Sequence, residues 1–384
     1  MKKFDIAIIG GGMVGAACAL GFAKKGLSVA LVENNKPKPF EQSQPYDLRV
    51  SAISMASVTL LESLGAWESI QNTRVTPYKR LATWEYSEAA VEFNAKDLEL
   101  EQLGYIIENR VVQLGLWEQL SHYPNVSILC PETLLSISSG HTHHHVVLDS
   151  GMELDVKWVV GADGANSKVR QIAGIGVTAW DYRQHCMLIH VQTELPQQDI
   201  TWQHFTPSGP RSFLPLNDEN ASLVWYDSPQ RITQLQSLLP IQLEKEIQQY
   251  FPKTLGKIKV MQSGSFPLVR SHAQKYYKNG HVVIGDAAHT INPLAGQGVN
   301  LGFKDVMALL DVTSEYSMTD TALQAYQSRR YTDNLLMQSG MDLIYKGFKT
   351  NSVPLKLLRN AAFKWVDRTD LIKKQVLKYA VGLK

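Results

Sequence analysis

The chain opens with two apolar runs separated by a glycine cluster. Residues 4–9 form an apolar run broken only by Asp5, which is how a parallel strand covered on both faces reads. Gly10, Gly11 and Gly12 break the run, and Val14, Ala17, Cys18, Phe22 and Lys25 then recur at helical spacing until Gly26. Residues 28–32 form a second apolar run. The order predicts a β-α-β unit with the usual right-handed crossover.

Further helical spacing covers residues 57–64, stopped by Gly65, and residues 109–120. Between them, residues 80–93 alternate and are rich in aromatics, as antiparallel strands are. Residues 145–148 and 156–160 read as strands. From Trp180 to about Lys259 the character changes. Short strands at 187–191, 202–205, 211–216 and 222–226 are separated by Pro, Gly and Asn turns, and a helix is expected at 241–250. Residues 281–284 resume the buried parallel pattern, and the chain beyond about 321 reads as helical with a break at Pro354. An α/β fold follows: a Rossmann-like domain with an inserted antiparallel sheet and C-terminal helices. The expected boundaries are 1–72, 101–178 and 260–320 for the first part, 73–100 and 179–259 for the insert, and 321–384 for the helices.

Composition narrows this only at the margins. The chain has 384 residues and 44% hydrophobic content, enough for a large core and two or three subdomains. A net charge of +2 does not point to nucleic acid. Cys18, Cys130 and Cys186 form no C-x-x-C pair, so neither a disulfide framework nor a zinc site is expected, and a reducing cytoplasm suits them. His141, His143, His144 and His145 read as a mobile polar turn, and no metal is expected there. The start, Met1-Lys2-Lys3 before an apolar run, looks like a secretory leader, but Asp5 and the glycines interrupt it, so it reads as mature structure. No apolar stretch reaches the ~20 residues that span a bilayer.

Three motifs carry the chemistry. In the first, Gly10 permits a tight turn after the strand, Gly12 lets a pyrophosphate approach the backbone, and Gly15 lets helix and strand pack. Glu33 ends the second strand, where a carboxylate accepts ribose hydroxyls. Alone, this does not distinguish FAD from NAD. The second is Asp163-Gly164 followed by Ser167 and Arg170. In the third, Gly285-Asp286 sets an acid at a strand end, in reach of a ribityl chain. Pro293 and Gly296-Gln297-Gly298-Val299-Asn300 then open a helix, whose positive end favours charge developing on a reduced flavin. Together they predict FAD bound along most of the chain. Arg49 and Gln113 are further candidate contacts; His289 is expected to be held by packing or a hydrogen bond.

The same segments resemble the aromatic-ring hydroxylases of the para-hydroxybenzoate hydroxylase type, and within them the ubiquinone-biosynthesis branch. The likeness runs through residues 10–15, 47–54, 161–175, 201–216, 221–232, 285–302 and 337–342. Residues 201–207 and 212–216 carry the closer similarity, to members acting on a polyprenylated benzoquinol. Only the connection at 311–321 looks shorter than usual. The resemblance implies a monooxygenase in which NAD(P)H binds transiently, reduces FAD and leaves. Reduced flavin and O₂ would then form a C4a-hydroperoxide that attacks an electron-rich ring. Pro293, Gly296, Gln297, Leu214 and Pro215 are the positions expected around the ring, with Gly10, Gly12, Gly15, Glu33, Arg49, Gln113, Asp163, Asp286, Gly298, Val299 and Asn300 on the cofactor. Phe205, Phe213, Leu216, Trp225 and Tyr226 are expected to line a ring and tail cavity beside them.

Other readings stay open at this stage: a flavin hydroxylase of another phenol, reduction of a prenyl group, or a non-catalytic FAD-stabilised scaffold in a biosynthetic complex. A halogenase does not fit, because Trp225 is followed by Tyr226-Asp227 and not by the expected Trp-x-Trp-x-Ile-Pro. The C-terminus interleaves Lys356, Arg359, Lys364, Arg368, Lys373, Lys374 and Lys378 with leucines and Trp365, a pattern of a membrane surface, a lipid-delivering partner or a solvated helix face. A ubiquinone-biosynthesis complex and a homo-oligomer are further partners to consider.

Overall fold

The computed structural model describes residues 1–140, 142–195, 198–291, 297–350 and 352–382. The first strand runs from Lys2 to Ile9 in the middle of an eight-stranded sheet. Val29–Val32 lies parallel on one side and Glu153–Gly161 parallel on the other. Val126–Leu129 and His281–Val283 extend the parallel order outward on the two sides. Ile6 and Ile8 pack into one buried cluster while Ala7 and Ile9 pack into another. Both faces are therefore covered, and the sequence shows a run instead of an alternation. Each large aliphatic side chain buried this way contributes about 1.5–3 kcal/mol.

A hairpin of Leu134–Ser139 and His144–Leu148 flanks the start of Glu153–Gly161, antiparallel to it. This corrects the mobile-turn reading for His144 and His145, which lie in the strand, while His143 stays exposed in the connection between the two strands. His144 faces inward and is buried, with its ring edge-on to His281 at 4.5 Å between centroids. Burial, reinforced by His281, pushes its pKa down to about 4. His145 points to the opposite face, 3.3 Å from Glu153. His141 lies outside the described residues.

The second eight-stranded sheet has the order His289–Thr290, Ile258–Ala273, Val177–Thr193, Asn220–Asp227, Arg211–Pro215, Ile200–His204, Arg80–Trp84, Val91–Asn94. Neighbours are antiparallel except Ile200–His204 beside Arg80–Trp84, which are parallel. The expected strand at 187–191 is the C-terminal part of the 17-residue strand Val177–Thr193. Its partner, Ile258–Ala273, follows it with register breaks between Asp181 and His185 and between His190 and Val191. Residues 260–273 thus belong to the second sheet, and the return to the first sheet comes only after Ala273. Val75–Tyr78 likewise lies outside the second sheet. It joins Val50–Ser54 and Gly104–Glu108 in a small antiparallel sheet that the alternation did not reveal.

Helices Pro229–Gln236 and Pro240–Tyr250 cover one face of the second sheet. At the C-terminus, the 30-residue helix Asp320–Lys349 packs beside Gln297–Tyr316. Val353–Arg368 and Asp370–Ala380 follow, with Pro354 in the first turn of its helix, where its missing N–H costs nothing. Among the described residues no helix is long and apolar enough to cross a membrane.

Candidate active site

The phosphate turn is built by close approach. Gly10 has φ +102°, and a Cβ there would lie 2.4 Å from the Ala162 carbonyl oxygen. At Gly15 a Cβ would lie 1.9 Å from the Gly10 oxygen. Gly12 differs: no heavy atom comes within 4 Å of where its Cβ would be. Nothing among the described residues demands a glycine there, and the open room suits a pyrophosphate pressed against the backbone. The helix Met13–Lys24 that starts here has no side-chain cap, so its first-turn N–H groups and positive dipole end face the same space.

Glu33 reaches back to this turn. One carboxylate oxygen accepts from Gly11 N at 2.6 Å and the other from Asn35 N at 2.9 Å. Lone pairs remain for a ribose. Gln113 Nε2 and Trp117 Nε1 both donate to the Gly11 carbonyl at 2.8 Å, so Gln113 braces the turn from behind. Trp117 was not singled out in the sequence, although it lies one helical turn beyond Gln113.

In the second motif, Asp163 Oδ2 accepts from the backbone N–H groups of Lys168 and Val169. Its Oδ1 is buried without a partner, an acceptor still to be filled. Arg170 is buried and donates to Ala287 O at 2.7 Å and Ala165 O at 2.8 Å. Burial lowers its pKa, with the Asp163 charge opposing the change. Arg170 therefore straps the second motif to the third.

The third motif rests on a buried carboxylate absent from the expectations. Asp305, fully buried, accepts from Gly285 N at 3.0 Å, from Arg330 Nε at 2.8 Å, from Asn334 Nδ2 at 3.1 Å, and bonds His289 Nε2. Burial raises its pKa, but His289 and Arg330 outweigh that and hold it down to about 2. His289 is thus engaged as expected. Asp286, beside it, has an accessible side chain, yet desolvation raises its pKa against the pull of His289 and Arg49. A side chain both accessible and densely surrounded lies on the floor of a cleft. Arg49 stands between this floor and the second sheet, its guanidinium 5.7 Å from the Phe266 ring centroid.

The helix Gln297–Tyr316 begins at the same cleft. Gly298 repeats the Gly12 signature, with nothing among the described residues within 4 Å of a Cβ. Asn300 is buried; its Oδ1 accepts from Ser54 N and Ser57 Oγ, and its Nδ2 donates to Ala52 O. Its side chain anchors the helix to Val50–Ser54, so a cofactor would meet its backbone. Val299 is half-buried against the main core. Pro293 and Gly296 lie outside the described residues, as does the Gln297 side chain.

The inner face of the second sheet closes the cleft. Leu214 is half-buried at the junction of two apolar clusters, whereas Pro215, expected beside it at the ring, is buried on the opposite face, paired with Ala221 under the covering helices. Leu188, Phe266 and Met341 share the partly buried lining with Leu214, over Cys186, Val224 and Tyr226. Phe213 and Trp225 do not belong to this lining: they occupy the opposite face, under the two covering helices. Period-two alternation forces this once Leu214 and Tyr226 face inward. Phe205 is drawn away too, stacked on Phe348 at 4.0 Å, and Leu216 packs beside Tyr46.

This site fits an FAD: two glycines open to space, an orphaned acceptor at Asp163, an acid on a cleft floor and two helix N-termini converge on it. A family model described as an FAD binding domain matches residues 3–332. The chain is 50% identical to the 3-demethoxyubiquinol 3-hydroxylase of Escherichia coli (strain K12), over 99% of this chain and 98% of that protein. It is 32% identical to the mitochondrial ubiquinone biosynthesis monooxygenase COQ6 of Homo sapiens, covering 98% and 92%. The solved structure of p-nitrophenol 4-monooxygenase PnpA from Pseudomonas putida DLL-E4 superposes with a TM-score of 0.81 at 17% identity, over 99% of each chain, and speaks for the fold. The chain belongs to the FAD-binding monooxygenase family, among the hydroxylases of ubiquinone biosynthesis.

Proposed function

We propose that this protein is an FAD-dependent monooxygenase that adds one hydroxyl to the ring of a polyprenylated benzoquinol in ubiquinone biosynthesis. The observation that carries the reading is the 50% identity, sustained over the whole chain, to a demethoxyubiquinol hydroxylase. Bound FAD supplies electron storage and the activation of O₂. Gly12 admits the pyrophosphate, Glu33 takes a ribose, Gln113 holds the turn, and Asp163 and Asp286 accept from the remaining hydroxyls. The first turn of Gln297–Tyr316 and Arg49 set positive potential beside the ring. Leu214, with Pro293, Gly296 and Gln297, is assigned to the ring pocket, where apolar walls keep water out. The half-buried Leu188, Phe266 and Met341 extend that wall toward a prenyl tail. NAD(P)H is assigned as a visiting donor, since the chain has a single glycine-turn dinucleotide motif.

The test is direct. Purified yellow protein is incubated with NADH or NADPH, oxygen and a short-chain demethoxybenzoquinol, and the product is examined by mass spectrometry. One added oxygen atom on the ring is expected. Flavin reoxidation without that product, with another phenol hydroxylated instead, defeats the substrate assignment.

A further inference from the structure

Val353–Arg368 is inverted relative to an ordinary surface helix. Its inward side carries polar anchors: Asn360 is buried and donates to Glu85 Oε2 at 3.0 Å, and Arg359 donates to Glu85 Oε1 at 2.7 Å. Phe363 adds a stacked contact to Phe348. Outward lie Leu357, Leu358 and Trp365, 63%, 66% and 59% exposed, with Ala361 and Ala362 between them. These positions follow helical spacing and form one apolar stripe. The adjoining helices repeat the feature: Leu343 is 74% exposed and Leu371 is 75% exposed. Soluble monomers rarely gather so many large apolar side chains in one region of surface.

The surrounding charge has one sign. Among the described residues from 335 onward, the exposed ionic residues are Lys346, Lys349, Lys364, Arg368, Lys374 and one acid, Asp370, while the half-exposed Asp367 is paired with Lys373. Residues 352–384 hold eight basic and two acidic side chains, net +6, whereas the preceding 351 residues are net −4. A second copy seated on this face would set two such positive surfaces against each other. A negatively charged lipid surface meets both features at once, apolar side chains entering the headgroup boundary and cations facing phosphates.

We infer that Val353–Arg368 and Asp370–Ala380 form a docking face for an anionic bilayer surface, with Leu357, Leu358 and Trp365 inserted and Lys364, Arg368 and Lys374 on the headgroups. The inference stands on the surface alone and does not depend on the hydroxylase reading. It is tested with the full-length, FAD-loaded protein by sedimentation with phosphatidylcholine vesicles, with and without phosphatidylglycerol. Binding is expected on the anionic vesicles, weakened by added salt as the ion atmosphere screens the lysines. The double variant Leu358→Ser, Trp365→Ser and the charge variant Lys364→Glu, Arg368→Glu should each lose about tenfold or more in partitioning. Both should keep their flavin spectrum and their activity on a short-chain quinol, a readout that reports on the reaction separately. Equal binding to neutral vesicles, no binding at all, or variants that bind like the parent overturn the inference. So does a parent that is dimeric by gel filtration and becomes monomeric in the double variant, because the face then belongs to a second copy. A parent that binds no vesicles but captures an acidic protein through this face overturns it equally.

Discussion

Asp305→Asn is the perturbation that tests most of the site's architecture with one atom. The change keeps the volume and removes a charge that is fully buried and accepts from Gly285, Arg330, Asn334 and His289. Arg330 is 7% exposed and would retain only Asp333 as an ionic partner. Leaving a buried cation with half its pairing removed typically costs about 3–5 kcal/mol. The carboxylate also makes stability depend on pH. Its folded pKa, near 2, lies below the ordinary carboxylate value, so its contribution is complete above about pH 4 and is lost as pH falls toward 2. A displacement of this size corresponds to roughly 2 kcal/mol. Two readouts apply: the urea midpoint of the holoprotein and the rate of FAD release, since the amide must set an NH₂ group either against Gly285 N–H or against the donors of Arg330 and Asn334. Asp333→Asn, which removes a half-exposed partner, serves as the control with an expected cost of about 0–1 kcal/mol. The reasoning fails if Asp305→Asn matches that control in midpoint and holds FAD as tightly as the parent.

Gly12→Ala and Gly15→Ala should separate binding from folding. The first has room for a methyl group and an ordinary φ of −67°, so the apo protein keeps its stability while FAD affinity drops roughly tenfold or more, read by flavin titration. The second meets the Gly10 carbonyl and should lower the thermal midpoint of the apo protein itself. Buried His144, with its pKa near 4 and the ordinary value at 6.5, costs stability as pH falls from 6.5 to 4, about 3 kcal/mol across that window. His144→Leu should flatten the acid limb of the stability profile there, and an unchanged limb would exclude His144 as its source. Leu214→Trp should fill the half-buried junction beside the proposed ring pocket, lowering turnover of the quinol while FAD content stays at parent level. Full turnover would place the ring elsewhere.

Much of the cofactor site was legible because its motifs are local. Gly10 to Gly15 and Asp163 to Arg170 each encode a turn and the start of a helix within a few residues, and Gly285-Asp286 encodes the turn at a strand end. What the sequence could not show is assembled from distant pieces. Asp305 lies 20 residues from Gly285 and 25 from Arg330 along the chain, and no local pattern marks a polar residue as buried. Strand geometry sets Phe213 and Leu214 on opposite faces, and the side taken by each depends on where Pro229–Tyr250 packs. Hence Phe213 and Trp225 were read onto the wrong face. The return of the chain at 260 was misplaced because a strand with breaks in its register, such as Ile258–Ala273, loses the clean period that would identify it. Trp117 was overlooked for another reason: an aromatic on a helix reads as core, and its indole N–H on the Gly11 carbonyl leaves no trace in spacing.

The interleaved path of the chain has a consequence for synthesis. The strand Lys2–Ile9 must await Glu153–Gly161 for its second neighbour, and that strand must await His281–Val283. At ~5–20 residues per second, roughly 14–55 s separate the emergence of Gly12 from that of Gly285 on the ribosome. Once residues up to Ala162 have emerged, the nascent chain carries a phosphate turn with no flavin floor opposite it, and an unpaired strand edge at Val159 to Gly161. FAD can lock the fold only after most of the polypeptide exists. Newly made protein is therefore most vulnerable to aggregation and proteolysis before its cofactor arrives, and its yield in cells should rise with flavin supply.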